Sequence, residues 1–264
     1  MSLPNKEKYE KYKPLKFLGQ NFLVDDNIAA KIVNALNIAP EDNVVEIGAG
    51  YGALTKHILQ KTKNYIAVEI DNKCIEALNE KFGNINIISK DYLKTDSVDF
   101  PSEYKIIGNI PYNITSKILF KIFSMMHDIS EAVIMVQREY AERMTSKPGT
   151  KDYGIISVQT QFFSEPEFLF RVPPTAFFPK PDVTSAIVKM KFPGPLTEMI
   201  NNVDVFQEFI RASFSQRRKT LKNSLNGFFG KYNIKTNNID FDLSRRAETL
   251  TPIEFTGLFN SLKL

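Results

Sequence analysis

Short apolar runs, each ending in a residue of distinctive chemistry, recur along this chain at the spacing of β-α units. That rhythm restricts it to an open α/β sheet. Val44-Val45-Glu46-Ile47 runs into Gly48, and Tyr65-Ile66-Ala67-Val68 ends at Glu69. Asn86-Ile87-Ile88 leads to Asp91, and Tyr104-Lys105-Ile106-Ile107 leads through Gly108 to Asn109. Between them lie helical patterns, such as Cys74, Ile75, Leu78 and Phe82 behind a capping Asp71. Strands joined through helices run parallel, so their carboxyl ends share one edge, where open sheets of this class bind ligands. Residues 131–137 read as a fifth strand and residues 138–144 as a helix. Residues 154–163 and 185–190 read as two further strands forming a terminal hairpin.

The first strand opens into Gly48-Ala49-Gly50-Tyr51-Gly52 and then a helical pattern. Glycines there let the main chain approach a ligand closely at a helix start. Glu69 lies 21 residues beyond Gly48, where an acid accepts hydrogen bonds from both ribose hydroxyls of an adenosine cofactor. The glycine spacing is not the dinucleotide fingerprint. The acid within it, Glu46, suits a sulfonium cofactor that has no pyrophosphate. S-adenosyl-L-methionine is therefore the expected ligand, with a dinucleotide as the alternative. Asp91 is placed to bind the exocyclic amine of the cofactor adenine, although a lone loop Asp is more often a cap.

Asn109-Ile110-Pro111-Tyr112 suits methylation of an exocyclic amino group. The amide oxygen of Asn109 and the carbonyl of Ile110 are two acceptors for that amine. They stabilise the positive charge that grows on nitrogen as it attacks. Pro111 stiffens the turn, Tyr112 offers a face for stacking, and Thr115 reads as the hydroxyl cap of the next helix. In isolation these residues are an ordinary strand-to-helix loop; the preceding glycines and acid give them chemical meaning. Within the proline-rich segment 172–183, Phe177 is placed to close the other face of a flipped base, or else it and Phe178 are core plugs.

Composition narrows the class. Hydrophobic residues at 43% and charged residues at 24% describe a globular chain rather than a disordered one. One cysteine, Cys74, permits no internal disulfide, and two distant histidines give no ligand spacing, so no metal is expected. The absence of an apolar leader or membrane-length stretch points to a cytoplasmic protein with no membrane partner. A net charge of +4 permits a nucleic-acid partner. The charge concentrates in Arg211, Arg217, Arg218, Lys219 and Lys222, where no acid intervenes, with Arg245 and Arg246 as possible additions. Residues 1–16 interleave lysines with Tyr9 and Tyr12 and read as a solvated tail or a phosphate-contacting arm. Residues 145–153 read as a mobile basic loop, solvated or gating. Pro193-Gly194-Pro195 marks a boundary between a catalytic domain, residues 1–194, and a helical RNA-binding domain, residues 195–264.

These residues resemble the bacterial small-subunit ribosomal RNA adenine dimethyltransferases over nearly the whole chain. The likeness runs through Gly19-Gln20-Asn21-Phe22-Leu23, Glu46 to Gly52, Asn109 to Ile114, Tyr153-Gly154 and Phe177 to Val183. It ends in Phe214 to Leu221 and Arg245-Arg246-Ala247-Glu248. The erythromycin-resistance methyltransferases share the cofactor loop and the Asn-Ile-Pro-Tyr turn but not the Gln-Arg-Arg-Lys segment. The resemblance implies a Rossmann-like class I methyltransferase sheet with a small C-terminal helical domain. It implies S-adenosyl-L-methionine held by Asn21, Leu23, Gly48, Gly50, Glu69, Asp91 and Asn109. It further implies dimethylation of adjacent adenosines in the 3′-terminal hairpin loop of 16S rRNA, within an assembling 30S subunit, by a monomeric enzyme. Rival readings are the same chemistry on 23S rRNA or DNA, and a non-catalytic RNA-binding factor on the same scaffold.

Overall fold

The computed structural model describes residue 14, residues 19–216 and residues 218–264. The expected N-terminal arm, Pro14 apart, and Arg217 lie outside the described residues. The chain forms two compact units. One runs to Ala141 and includes Glu167–Phe192; the other comprises Glu142–Pro166 and Pro193–Leu264. Residues 142–166, which the sequence boundary at residue 194 keeps with the catalytic part, therefore cluster with the C-terminal residues.

In chain order the elements are β1 (Phe22–Leu23), α1 (Asp26–Ala35), β2 (Val44–Ile47), α2 (Thr55–Ile58), β3 (Tyr65–Glu69), α3 (Asn72–Phe82) and β4 (Asn86–Ser89). Then come β5 (Tyr104–Asn109), α4 (Thr115–Ser124), β6 (Ile129–Gln137), α5 (Arg138–Met144), α6 (Ile155–Phe163), β7 (Glu165–Val172), β8 (Phe177–Phe178) and β9 (Ser185–Lys191). The last are α7 (Val203–Ser213), α8 (Leu221–Ser224), α9 (Asn226–Lys231) and α10 (Pro252–Ser261).

The main sheet has the order β4-β3-β2-β5-β6-β9-β7. Its strands from β4 to β6 are parallel, and β9 runs antiparallel to β6. The chain steps outward from β2 through β3 to β4, then returns to the other side of β2 to lay down β5. The strand order reverses there, with Ile47 of β2 in register with Gly108 of β5. A crevice opens at the carboxyl ends of strands at such a reversal. The two strands can close together because residue 108 has no side chain: a Cβ would lie 2.7 Å from the Ile47 carbonyl oxygen.

Strand β2 is buried at every position, Glu46 included, as expected of a parallel strand covered on both faces. Ile32, Val33 and Leu36 behind it are fully buried, each worth about 1.5–3 kcal/mol of transfer free energy. Caps sit where the sequence places them. Asp25 accepts from the Ile28 amide at 3.0 Å, and Asp71 accepts from the Lys73 amide at 3.0 Å. A short antiparallel ribbon pairs β1 with β8, joining Phe22 to Phe178 and Leu23 to Phe177.

The second unit corrects one reading: residues 155–163 are the helix α6, not a strand of a hairpin. The strand beside β9, opposite β6, is β7. Ser157, Val158, Gln159, Thr160, Phe162 and Phe163 are all buried in α6, so no apolar stripe distinguishes it from a buried strand. Its core is a run of phenylalanines, with Phe162 and Phe206 at 4.5 Å between centroids and Phe209 5.5 Å from Phe259. Residues 145–153 are held rather than loose. The Tyr153 hydroxyl donates to the Leu250 carbonyl at 2.7 Å, and the Gly149 amide donates to the Glu248 carbonyl at 2.8 Å. Arg245 is likewise structural: it donates to Glu254 at 2.6 Å and to the Thr249 carbonyl at 2.9 Å.

Candidate active site

A cavity of about 350 Å³ opens at the strand-order reversal. Small-molecule pockets run from roughly 300 to 1,000 Å³. Asn21, Gly48, Gly50, Glu69, Asp91 and Asn109 all line it, and so do Ile110, Pro111 and Tyr112. Strands β2, β3 and β5 deliver Gly48, Glu69 and Asn109 from their carboxyl ends, and the loop after β4 delivers Asp91.

Gly48 has φ +69°, a left-handed conformation that turns the chain sharply out of β2. Glu69 is buried at the rim, and its carboxylate gathers the loops around it. Oε2 accepts from the Gly50 amide at 2.8 Å; Oε1 accepts from the Ile70 and Asp71 amides at 2.8 and 2.9 Å. Burial raises its pKa, and those amide bonds oppose the rise. A carboxylate offers about four acceptor sites, so capacity remains toward the cavity. Asp91 caps the next turn, its Oδ1 accepting from the Leu93 amide at 3.0 Å, and it also lines the cavity.

The Asn109 turn is fixed from several sides. Its amide Nδ2 donates to the Asn21 carbonyl at 2.8 Å, which assigns Oδ1 the acceptor role. The Ile110 amide donates to the Met135 carbonyl at 3.1 Å. The Tyr112 hydroxyl shares a 2.6 Å hydrogen bond with the Ser185 hydroxyl, and burial raises its pKa, so the phenol is no base at neutral pH. Thr115 differs from its expected role. It is the first helical residue of α4, and its hydroxyl donates back to the Pro111 and Tyr112 carbonyls at 3.2 Å each. It staples the turn instead of capping the helix.

Two expected residues lie elsewhere. Leu23 lines an adjoining cavity of about 330 Å³ that also touches Gly48, Gly50 and Asn109. Phe177 is 4% exposed, packs in the core, and does not line the main cavity. Pairing with Leu23 across the ribbon turns it inward, so this arrangement offers it as a plug rather than as a wall for a base. Glu46 lies behind the glycines. It accepts from Thr55 Oγ1 at 2.7 Å and Tyr65 Oη at 2.6 Å, and burial pushes its carboxyl up to about 7.

The sequence reading missed Gln20 and Ile70. Gln20 Nε2 donates to Asp71 Oδ2 at 2.8 Å and ties the segment bearing Asn21 to the cap of α3. Ile70 is 51% exposed and presents an apolar face at the cavity. The one signal in the sequence was its position, an apolar residue directly after the acid that ends β3. In the second unit Arg211, Arg218, Lys219 and Lys222 are all exposed. Among the described residues no cluster of His, Cys, Asp and Glu could hold a metal ion, and no helix is long and apolar enough to cross a membrane.

Residues 12–263 match the ribosomal RNA adenine dimethylase family. The chain belongs to that family. It is similar to ribosomal RNA small subunit methyltransferase A of Francisella tularensis, with 42% identity over 96% of this chain and 98% of the relative. The Bacillus thuringiensis protein of the same name is 40% identical over 94% of this chain and 91% of its own length. Among solved structures, a dimethyladenosine transferase from Plasmodium falciparum superposes with a TM-score of 0.76 at 26% identity, covering 91% and 98% of the two chains. The 23S rRNA methyltransferase ErmE superposes with a TM-score of 0.69 at 25% identity, covering 92% and 100%. This family member is thus a methyltransferase with the Rossmann-like class I sheet and a helical C-terminal part.

Proposed function

We propose that this chain dimethylates N6 of adjacent adenosines in the 3′-terminal hairpin loop of 16S rRNA, in the cytoplasm, on an assembling 30S subunit, acting as a monomer. The observation that carries the reading is the Asn109 amide, locked by Asn21 with its oxygen as acceptor, in one cavity with the buried Glu69 carboxylate. S-adenosyl-L-methionine, when bound, supplies an electrophilic methyl group on a sulfonium.

The residues present fit that cofactor. Glu69 has acceptor capacity for ribose hydroxyls, Asp91 for an adenine amine, and Ile70 an exposed apolar face for the ring. The left-handed turn at Gly48 leaves the main chain open where a side chain would intrude. Asn109 Oδ1 and the Ile110 carbonyl accept from the target amine and stabilise positive charge as it develops there. Tyr112, pinned through Ser185, stacks on the base and aligns it, so positioning supplies much of the acceleration. Reaching the cavity requires the adenosine to leave its stack. The exposed cations at Arg211, Arg218, Lys219 and Lys222, with Arg217, suit rRNA phosphates.

The test is methyl transfer to small subunits that lack the modification, with large subunits and duplex DNA as competitors. Primer extension should stop at the two adjacent adenosines of the small subunit alone. Transfer to 23S rRNA or DNA instead would replace this reading, and failure to bind the cofactor in titration calorimetry would favour a non-catalytic factor.

A further inference from the structure

We infer that Lys117 holds a backbone phosphate of the flipped nucleotide at the mouth of the cavity. The inference rests on the adenosine-binding reading above and names one cation of this chain that would anchor the substrate strand. Lys117 sits in the first turn of α4, is exposed, and lines the same cavity as Asn109 and Tyr112.

The neighbouring cations are already matched. Lys90, which also lines the cavity, pairs with Asp99 at 3.0 Å, and Lys121, one turn along α4, pairs with Asp96 at 3.2 Å. No carboxylate among the described residues pairs with Lys117. Helix stability does not account for it. A cation in the first turn opposes the macrodipole, which favours acids there, and α4 has no acid in its first turn.

Ligand chemistry does account for it. The cavity walls carry two carboxylates, Glu69 and Asp91, so a phosphodiester brought to the mouth meets repulsion unless a cation offsets it. The lysine and the amide end of α4 together present that positive charge. Of the exposed residues at the cavity, Lys117 is the charged one. It follows Tyr112, the stacking residue, by less than two helical turns. The phosphate of a base stacked there would emerge beside it.

The experiment uses the full-length chain with Lys117→Met and Lys117→Arg, unmethylated small subunits, and S-adenosyl-L-methionine. The expected result for Lys117→Met is a KM for subunits raised roughly fivefold with kcat held. The salt dependence of log affinity should become shallower by about 0.7, the value for one neutralised phosphate of a single strand. Cofactor affinity should match the parent protein, and Lys117→Arg should restore KM. An unchanged salt slope would overturn the inference, and so would a fall in cofactor affinity, which would give Lys117 to the cofactor carboxylate. Absence of methyl transfer by the parent protein would instead remove the functional reading and this phosphate anchor with it.

Discussion

The side-chain amide of Asn109 donates to the main-chain carbonyl of Asn21, 2.8 Å away and 88 residues earlier in the chain. One hydrogen bond thereby decides which end of a symmetric-looking amide stays free to accept. The donor end is occupied by protein, so the acceptor end remains at the cavity. Gln20, bound to Asp71, ties down the segment that bears Asn21.

Replacing Asn109 by Ala should leave a folded protein that binds rRNA while methyl transfer falls by about two orders of magnitude, the usual loss for one preorganised polar group at a developing charge. Single-turnover transfer to small subunits, alongside a binding assay, measures it. Near-normal turnover would remove Asn109 from the mechanism.

Glu69→Ala should weaken both the cofactor site and the fold. Three amides, those of Gly50, Ile70 and Asp71, lose their acceptor. A buried donor left unsatisfied costs about 1–3 kcal/mol. Thermal unfolding with and without S-adenosyl-L-methionine should show a lower midpoint and no ligand-induced shift.

Gly108→Ala should destabilise by about 1–3 kcal/mol, the range for an overpacked site. The new methyl meets the Ile47 carbonyl and wedges β2 from β5 directly beneath the cavity. Denaturant unfolding gives the stability change. An unaltered midpoint would mean the two strands separate freely.

Acid should loosen the second unit through Glu254. Arg245 beside it lowers its carboxyl pKa from 4.5 to about 2, aided by the Thr251 amide and hydroxyl. A carboxylate with a depressed folded pKa contributes stability above its unfolded value and loses it as pH falls through the folded one. Stability should therefore decline between about pH 4.5 and 2, and Glu254→Gln should flatten that limb of a pH titration of the unfolding midpoint.

Replacing Arg217, Arg218 and Lys219 together by Ala should weaken subunit binding and reduce its salt slope, by up to about 0.7–0.9 for each phosphate no longer neutralised. Binding measured at several salt concentrations checks it. A slope equal to that of the parent protein would return those residues to a solvated surface.

The β-α rhythm from β2 to α5 was legible because each unit carries its own local periodicity and caps. Asp25, Asp71 and the apolar face behind them need no distant partner to be recognised. The glycine turn, Glu69 and Asn109 were legible for the same reason, each closing a strand. The helix α6 was not. Its residues are largely β-branched or aromatic and buried, so local preference and periodicity both pointed to a strand, and packing among the phenylalanines decided otherwise.

Sequence alone determined which residues end strands, because hydrophobic spacing and turn chemistry are properties of neighbours in the chain. Tertiary structure decided which strands lie side by side and where their order reverses. It also decided that Phe177 turns inward, that Thr115 staples a turn, and that Arg245 pairs with Glu254. Those outcomes depend on groups brought together by folding, and their free energy exists only once the chain has closed on itself.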